Sequence, residues 1–329
     1  MSILIQTIKL TYQMKKLTFR NGDVLPALGL GTWKSEPGEV YEAVLEAIKV
    51  GYRHIDCAYI YGNEKEIGDA LQKAFKDGLC SRKELFVTSK LWNNAHLPED
   101  VEPALNKTLK DLQLEYLDLY LMHWSVALKP EAEFPKSGDD FLGQDLAPIQ
   151  KTWKAMENLV EKGLTKHIGV ANFNVNNLEK LRGIADIKPE MNQVELHPAL
   201  VQDDLVTFCK KHDILVTAYS PLGSKDRVSQ MKKDDEPDLF ELDSVKSIAQ
   251  KHGKTPAQIL IAFALNRGIS VIPKSTNAGR IKQNLEADEI NLSPEEVEEI
   301  SKSDKNYRFV DGSFWTQEGS PYSMEDLWG

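Results

Sequence analysis

From position 28 onward the chain alternates two hydrophobic patterns. Short, nearly unbroken apolar runs occupy 28–31, 54–58, 85–91, 117–124, 167–173, 191–197, 215–220 and 270–273. Such runs suit strands buried on both faces. Between them lie segments with apolar residues at three- and four-residue spacing: 40–50, 64–77, 99–112, 149–161, 175–184, 203–212 and 255–266. That spacing predicts amphipathic helices. Eight strands, each followed by a helix, predict an α/β fold, a (β/α)8 TIM barrel. A doubly wound sheet is the alternative, but its dinucleotide fingerprint is missing. GLGTWK offers Gly29 and Gly31 without a third glycine, and no helix begins there.

Several segments fall outside this alternation. Residues 1–14 read as a disordered extension or a mis-assigned start, and 15–329 as a single barrel domain. KKLTFRNGDVLPAL predicts an N-terminal hairpin with a type I′ turn at Asn21-Gly22. Two helices exceed the barrel's needs, 243–251 and 293–302, the second opened by Ser293-Pro294-Glu295-Glu296. Long connections at 125–148 and 223–240 follow strands, so they lie on the C-terminal face, where barrel sites form. A tail runs from Asp304 to Gly329.

Composition narrows the function classes. The chain has 329 residues, 41% of them hydrophobic, and a net charge of -10. The acidic balance argues against a nucleic-acid binder. Residues 1–13 are too short for a membrane span and lack a signal-peptide pattern. Three widely spaced cysteines, Cys57, Cys80 and Cys209, suggest neither a disulfide framework nor a metal site, and fit a reducing cytoplasm.

The chemistry gathers at strand ends. GYRHIDCAYIYGNEKEIG places Asp56 at the end of the second barrel run and Tyr61 in the loop after it. Lys90 ends the third run and His123 the fourth. A carboxylate at the end of an apolar strand needs a partner, and Lys90 can serve. Lys90 beside Tyr61 stabilises a phenolate and is expected to lower the tyrosine pKa. Tyr61 can then exchange a proton near neutral pH, while His123 polarises a carbonyl. No side chain supplies hydride, so a nicotinamide cofactor is required.

At these residues the chain resembles the aldo-keto reductase family. GYRHIDCAYIYGNEKEIG, VTSKLWN, LDLYLMHW, MNQVELHP, AYSPLG and IPKST look like family signatures in family order, between about Lys16 and Asp304. The resemblance implies a barrel that binds NADPH/NADP+ without a Rossmann domain. It implies a tetrad of Asp56, Tyr61, Lys90 and His123, with Tyr61 as general acid. It assigns Asn172 and Gln193 to the nicotinamide carboxamide, Tyr219 to its stacking face, and Ser220 and Leu222 to backbone contacts with the pyrophosphate. Lys34, Asp226 and Lys274 match a belt over the pyrophosphate. Lys274, Ser275 and Arg280 match a 2′-phosphate site at a helix start near Ala278, which suits an anion. Gln283 and Asn284 match adenine contacts, and Thr32, Trp33 and Thr276 join the cofactor set. Three departures stand out: Gln283 where relatives often have Glu, Ser125 where many have Pro, and Ala171 where Ser is usual. The last removes one hydrogen bond to the nicotinamide, roughly 0.5–1.5 kcal/mol.

Trp33, Trp92 and Trp124 match an aromatic pocket wall, which Trp315 of the tail closes. Such a box suits an apolar or aromatic aldehyde and equally the face of a sugar. Arg308 reads as half of a surface ion pair with Asp304 or Asp311. The acidic runs 234–236 and 295–299 read as solvated faces. The expected function is NADPH-dependent reduction of aldehydes, with aldoses as further candidates, to primary alcohols by a cytoplasmic monomer. Its partner is a small-molecule aldehyde or sugar, with no nucleic acid, membrane or metal. A dedicated sugar reductase and a non-catalytic cofactor-binding relative are the alternatives.

Overall fold

The structure is a computed structural model and describes residues 14–225, 227, 232–233 and 235–329. Most of the expected 1–14 extension therefore lies outside the described residues. Met14 itself packs against the core. In chain order the elements are β1 (Lys16–Thr18), β2 (Val24–Pro26), β3 (Leu30–Gly31), α1 (Glu39–Val50), β4 (His54–Asp56), α2 (Glu64–Lys76), β5 (Phe86–Leu91), α3 (Pro98–Leu112), β6 (Leu117–Met122), β7 (Ala127–Leu128) and β8 (Phe141–Leu142). There follow α4 (Ile149–Glu161), β9 (Thr165–Ala171), α5 (Val175–Ile184), β10 (Met191–Glu195), α6 (Asp203–Lys211), β11 (Leu215–Tyr219), α7 (Asp243–His252), α8 (Pro256–Asn266), β12 (Ser270–Val271), α9 (Ala278–Leu285), α10 (Pro294–Ser301) and α11 (Met324–Trp328).

Eight parallel strands run β3-β4-β5-β6-β9-β10-β11-β12 in spatial order. Parallel bridges Leu28–Val271 and Gly31–Lys274 join the two ends. Gly29 N donates to Val271 O at 2.9 Å and Val271 N to Ala27 O at 2.7 Å across that seam. The fold is the expected (β/α)8 barrel. The two early glycines serve packing. A Cβ on Gly31 would stand 2.6 Å from Ile272 O, and one on Gly29 2.6 Å from His54 Nδ1. Neither leaves room for a side chain at the seam.

The hairpin β1–β2 forms with Thr18 opposite Val24. Its connection is five residues, 19–23, and the type I′ turn is absent. Gly22 has φ +91°, but Asn21 is not in the left-handed region that a type I′ turn requires. The longer loop lets Phe19 and Leu25 plug the barrel's N-terminal end against Phe86, Leu119, Leu121 and Met191. Helices α7 and α10 are the two expected extras. Glu296 in α10 is not on a solvated face. It is buried, closes a capping box with Ser293, and pairs with Lys251 at 2.7 Å and His252 at 2.9 Å. Of the other acidic run, Asp234 lies outside the described residues and Glu236 pairs with Arg227.

Six runs outlast their strands. The chain leaves the ladder at Asp56, Met122, Ala171, Glu195, Tyr219 and Val271, short of the expected ends at 58, 124, 173, 197, 220 and 273. The residues beyond form the rim of the C-terminal face. Segment 125–148 folds over this rim as the antiparallel pair β7–β8. The tail clamps it: Tyr322 Oη accepts from Ala127 N at 3.0 Å and donates to Leu142 O at 2.7 Å.

Candidate active site

Asp56, Lys90 and Tyr61 form a hydrogen-bonded row. Lys90 Nζ lies 2.7 Å from Asp56 Oδ2 and donates to Cys57 O at 2.8 Å and Tyr61 Oη at 3.2 Å. The ammonium's three protons thus have three acceptors. The Lys90 side chain is 0% exposed and that of Asp56 2%. Burial opposes the Lys90 charge, but Asp56 and Tyr61 outweigh it and hold the lysine pKa above its usual value. Gln193 Nε2 donates to the other oxygen, Asp56 Oδ1, at 2.7 Å.

The expected lowering of the Tyr61 pKa does not hold. Burial raises it and Lys90 pulls it back only in part, so the net shift is upward from 10.0. Lys90 acts in the expected direction, but loss of hydration around the hydroxyl is the larger effect. His123 packs edge-on against Tyr61, with ring centroids 6.1 Å apart, and against Trp92 at 5.0 Å. Burial, Lys90 and His96 push its pKa well below 6.5. His123 is therefore a neutral imidazole at physiological pH, able to donate one hydrogen bond.

These side chains floor a cavity of about 730 Å³. Asn172, just past β9, donates from Nδ2 to His123 O at 3.0 Å, and its Oδ1 accepts from Tyr219 Oη at 2.8 Å. Asn172 and Ser220 sit at φ +60° and +49°, left-handed conformations unusual outside glycine. Both follow a strand end directly, where such strain collects at functional sites. From Tyr219 the cavity continues past Leu222 to Lys274, Ser275, Arg280 and Asn284. At this far end Asn277 caps α9 by accepting from Arg280 N at 2.9 Å. On the near side the walls are aromatic: Trp33, Trp92, Trp124, Phe134 and Phe314.

Comparisons with known proteins match this arrangement. The family model described as "Aldo/keto reductase family" matches residues 27–305. The chain is 50% identical to the aldo/keto reductase slr0942 of Synechocystis sp., covering 98% of this chain and 99% of that protein. It is also 50% identical to aldo-keto reductase family 1 member A1 of Homo sapiens, covering 88% and 89%. Among solved structures, the aldose reductase from Schistosoma japonicum superposes with a TM-score of 0.85 at 40% identity, covering 94% of this chain and 99% of that one. The chain belongs to the aldo/keto reductase family.

In this aldo/keto reductase most of the expected site residues meet at the cavity. Thr32, Trp33, Lys34, Asp56, Tyr61, His123, Asn172, Gln193, Tyr219, Ser220, Leu222, Lys274, Ser275, Arg280, Gln283 and Asn284 all line it, and Lys90 lies directly beneath. Thr276 and Trp315 do not line it. Trp315 is 0% exposed and packs behind the wall, its ring 5.6 Å from Trp92 and 5.8 Å from Trp124. Its bulk is spent on supporting those two rings. Asp226 of the expected belt lies outside the described residues. Lys34 Nζ donates to Ser224 Oγ at 2.8 Å, bridging the first and seventh barrel loops.

Arg308 makes no ion pair with Asp304 or Asp311 among the described residues. It stacks 3.8 Å over the Trp328 ring and donates to Gln202 Oε1 at 3.3 Å, while Asp311 pairs with Lys233 at 3.1 Å. Phe134, Phe314, Val310 and Gln317 line the cavity without having been singled out from the sequence. They come from the two irregular segments. The length of those segments was the signal; which of their residues face inward was not readable.

Proposed function

We propose that this aldo/keto reductase reduces aldehydes to primary alcohols with NADPH, Tyr61 acting as general acid. The observation that carries the reading is the row Asp56–Lys90–Tyr61, which ends in a phenol at the floor of an aromatic cavity beside a neutral histidine. A phenol held above its ordinary pKa is protonated at neutral pH, the state a proton donor needs.

The residues fit a nicotinamide dinucleotide phosphate. Two cations, Lys274 and Arg280, and the Ser275 hydroxyl line the far end of the cavity, where a phosphate monoester would find charge-assisted partners. Asn172 and Gln193 would hold the carboxamide and Tyr219 one face of the ring, with Ala171 offering no hydroxyl there. The bound reduced nicotinamide supplies a hydride. The substrate carbonyl oxygen takes its proton from Tyr61 Oη and a hydrogen bond from His123. Lys90 then balances the phenolate, while Asp56 keeps Lys90 charged and in place. The aromatic walls exclude water and favour an apolar or aromatic aldehyde. The same reading takes 15–329 as one domain and the protein as a cytoplasmic monomer.

A dedicated sugar reductase is the second reading, supported by the likeness to an aldose reductase structure. Initial rates with NADPH and with NADH, on a benzaldehyde, glyceraldehyde, a pentose and a uronic acid, separate the two. A strong preference for the pentose would select the second. Replacing Tyr61 by Phe tests the chemistry: turnover is expected to fall by about 10²–10⁴, with NADPH affinity retained. A Tyr61→Phe enzyme as active as the unmodified one would exclude Tyr61 as the acid.

A further inference from the structure

The motif MNQVELHP contains two titratable residues that the proposed chemistry does not use, Glu195 and His197. Both side chains are 0% exposed. Glu195 ends β10, two residues beyond Gln193. Its carboxylate accepts from His197 Nε2 at 2.8 Å, from Phe309 N at 2.6 Å and from Val310 N at 2.8 Å. The last two are consecutive backbone amides of the tail, more than a hundred residues away in sequence. A buried anion is costly unless hydrogen-bonded, and here both oxygens are occupied by the tail.

Beyond those two amides the tail becomes the substrate wall. Val310 lines the cavity, Gly312 turns the chain at φ +75°, and Phe314 lines the cavity again. Before them, Lys305 N and Tyr307 N donate to Ala199 O in the loop after β10, at 3.2 and 2.9 Å. Phe309 packs on the His197 ring with centroids 4.8 Å apart. The tail is therefore fixed to the end of β10 and the loop after it just before it enters the cavity, with Glu195 holding the last two amides before the wall.

We propose that Glu195 is a positioning residue for substrate selection: its carboxylate sets where the Val310–Phe314 wall stands over the reacting aldehyde. The inference rests on the aldehyde-reductase reading for its kinetic consequence, but not for its structural one. Glu195→Gln keeps the size and leaves one acceptor oxygen, turning an amide NH₂ toward a backbone N–H. One backbone amide loses its partner, and the bonds that remain to the oxygen lose their charge assistance.

The test uses the full chain, with propanal as the small substrate and 4-phenylbenzaldehyde as the one long enough to reach the wall. For Glu195→Gln, the KM for 4-phenylbenzaldehyde is expected to rise about ten-fold or more, with kcat/KM for propanal within about two-fold. Amide exchange at Phe309 and Val310 should accelerate by a similar factor, while β10 keeps its protection. If Glu195→Gln does not fold, Glu195→Asp replaces it; its shorter reach loses one amide and should shift both readouts the same way, by less. Equal losses on both aldehydes, or unchanged tail exchange, would overturn the proposal. If the unmodified protein reduces neither aldehyde, the functional reading fails instead, and the exchange measurement alone decides the anchor.

Discussion

Replacing Lys90 by Met asks how much of the barrel's stability is bound up in its site. The ammonium is fully buried, and its three donors reach Asp56, Cys57 and Tyr61 at 2.7, 2.8 and 3.2 Å. Methionine fills most of the volume, so the loss is electrostatic. Asp56 would keep Gln193 on Oδ1 and have a bare buried oxygen at Oδ2. Breaking one side of a buried pair costs about 3–5 kcal/mol. Neutralising both sides should recover much of it, because the carboxamide in the double variant Asp56→Asn/Lys90→Met still accepts from Gln193 and carries no charge. Urea unfolding followed by tryptophan fluorescence, with refolding curves superimposed to establish reversibility, measures both variants. A Lys90→Met cost below about 1 kcal/mol, or a double variant no more stable than the single one, would refute the reasoning.

Two other outcomes are expected. Acid should destabilise the fold well above the carboxylate range. Burial lowers His54 to about 4 and His96 to about 3. The unfolded chain therefore binds these protons first. Stability is full above about pH 6.5 and falls as pH drops toward 4, by about 2 kcal/mol from His54 alone at pH 5. A urea midpoint unchanged between pH 7 and pH 5 would contradict this. Replacing Arg280 by Ala should weaken NADPH binding about ten-fold or more and leave NADH binding nearly unchanged. Equal effects on the two cofactors, measured by fluorescence titration, would remove Arg280 from the 2′-phosphate site.

The barrel was legible because each strand and helix carries its own hydrophobic period, and periodicity is local. The bounds of α4 and α5 agree with the sequence reading residue for residue. The Asp56–Lys90 pair was legible for a related reason: a carboxylate ending an apolar strand needs a counter-charge, and adjacent strand ends are the nearest source. The direction of the Tyr61 shift was not legible. It depends on two opposed effects, burial against the Lys90 charge, and their balance is set by how closely the rim packs. The hairpin turn failed for a smaller reason of the same kind: Asn21-Gly22 favours a two-residue turn, but burying Phe19 required a longer loop.

The sequence by itself determined the architecture and which strand ends carry reactive groups, since both follow from short-range pattern and from the constant geometry of a barrel. Only the tertiary structure decided what surrounds those groups. Trp315 moved from wall to support, Arg308 from the surface to a stack on Trp328, and Glu195 from an unremarked strand residue to the anchor of the tail. Each of these depends on where an irregular segment crosses the rim. No periodicity encodes that path, because it is fixed by contacts between residues far apart in the chain.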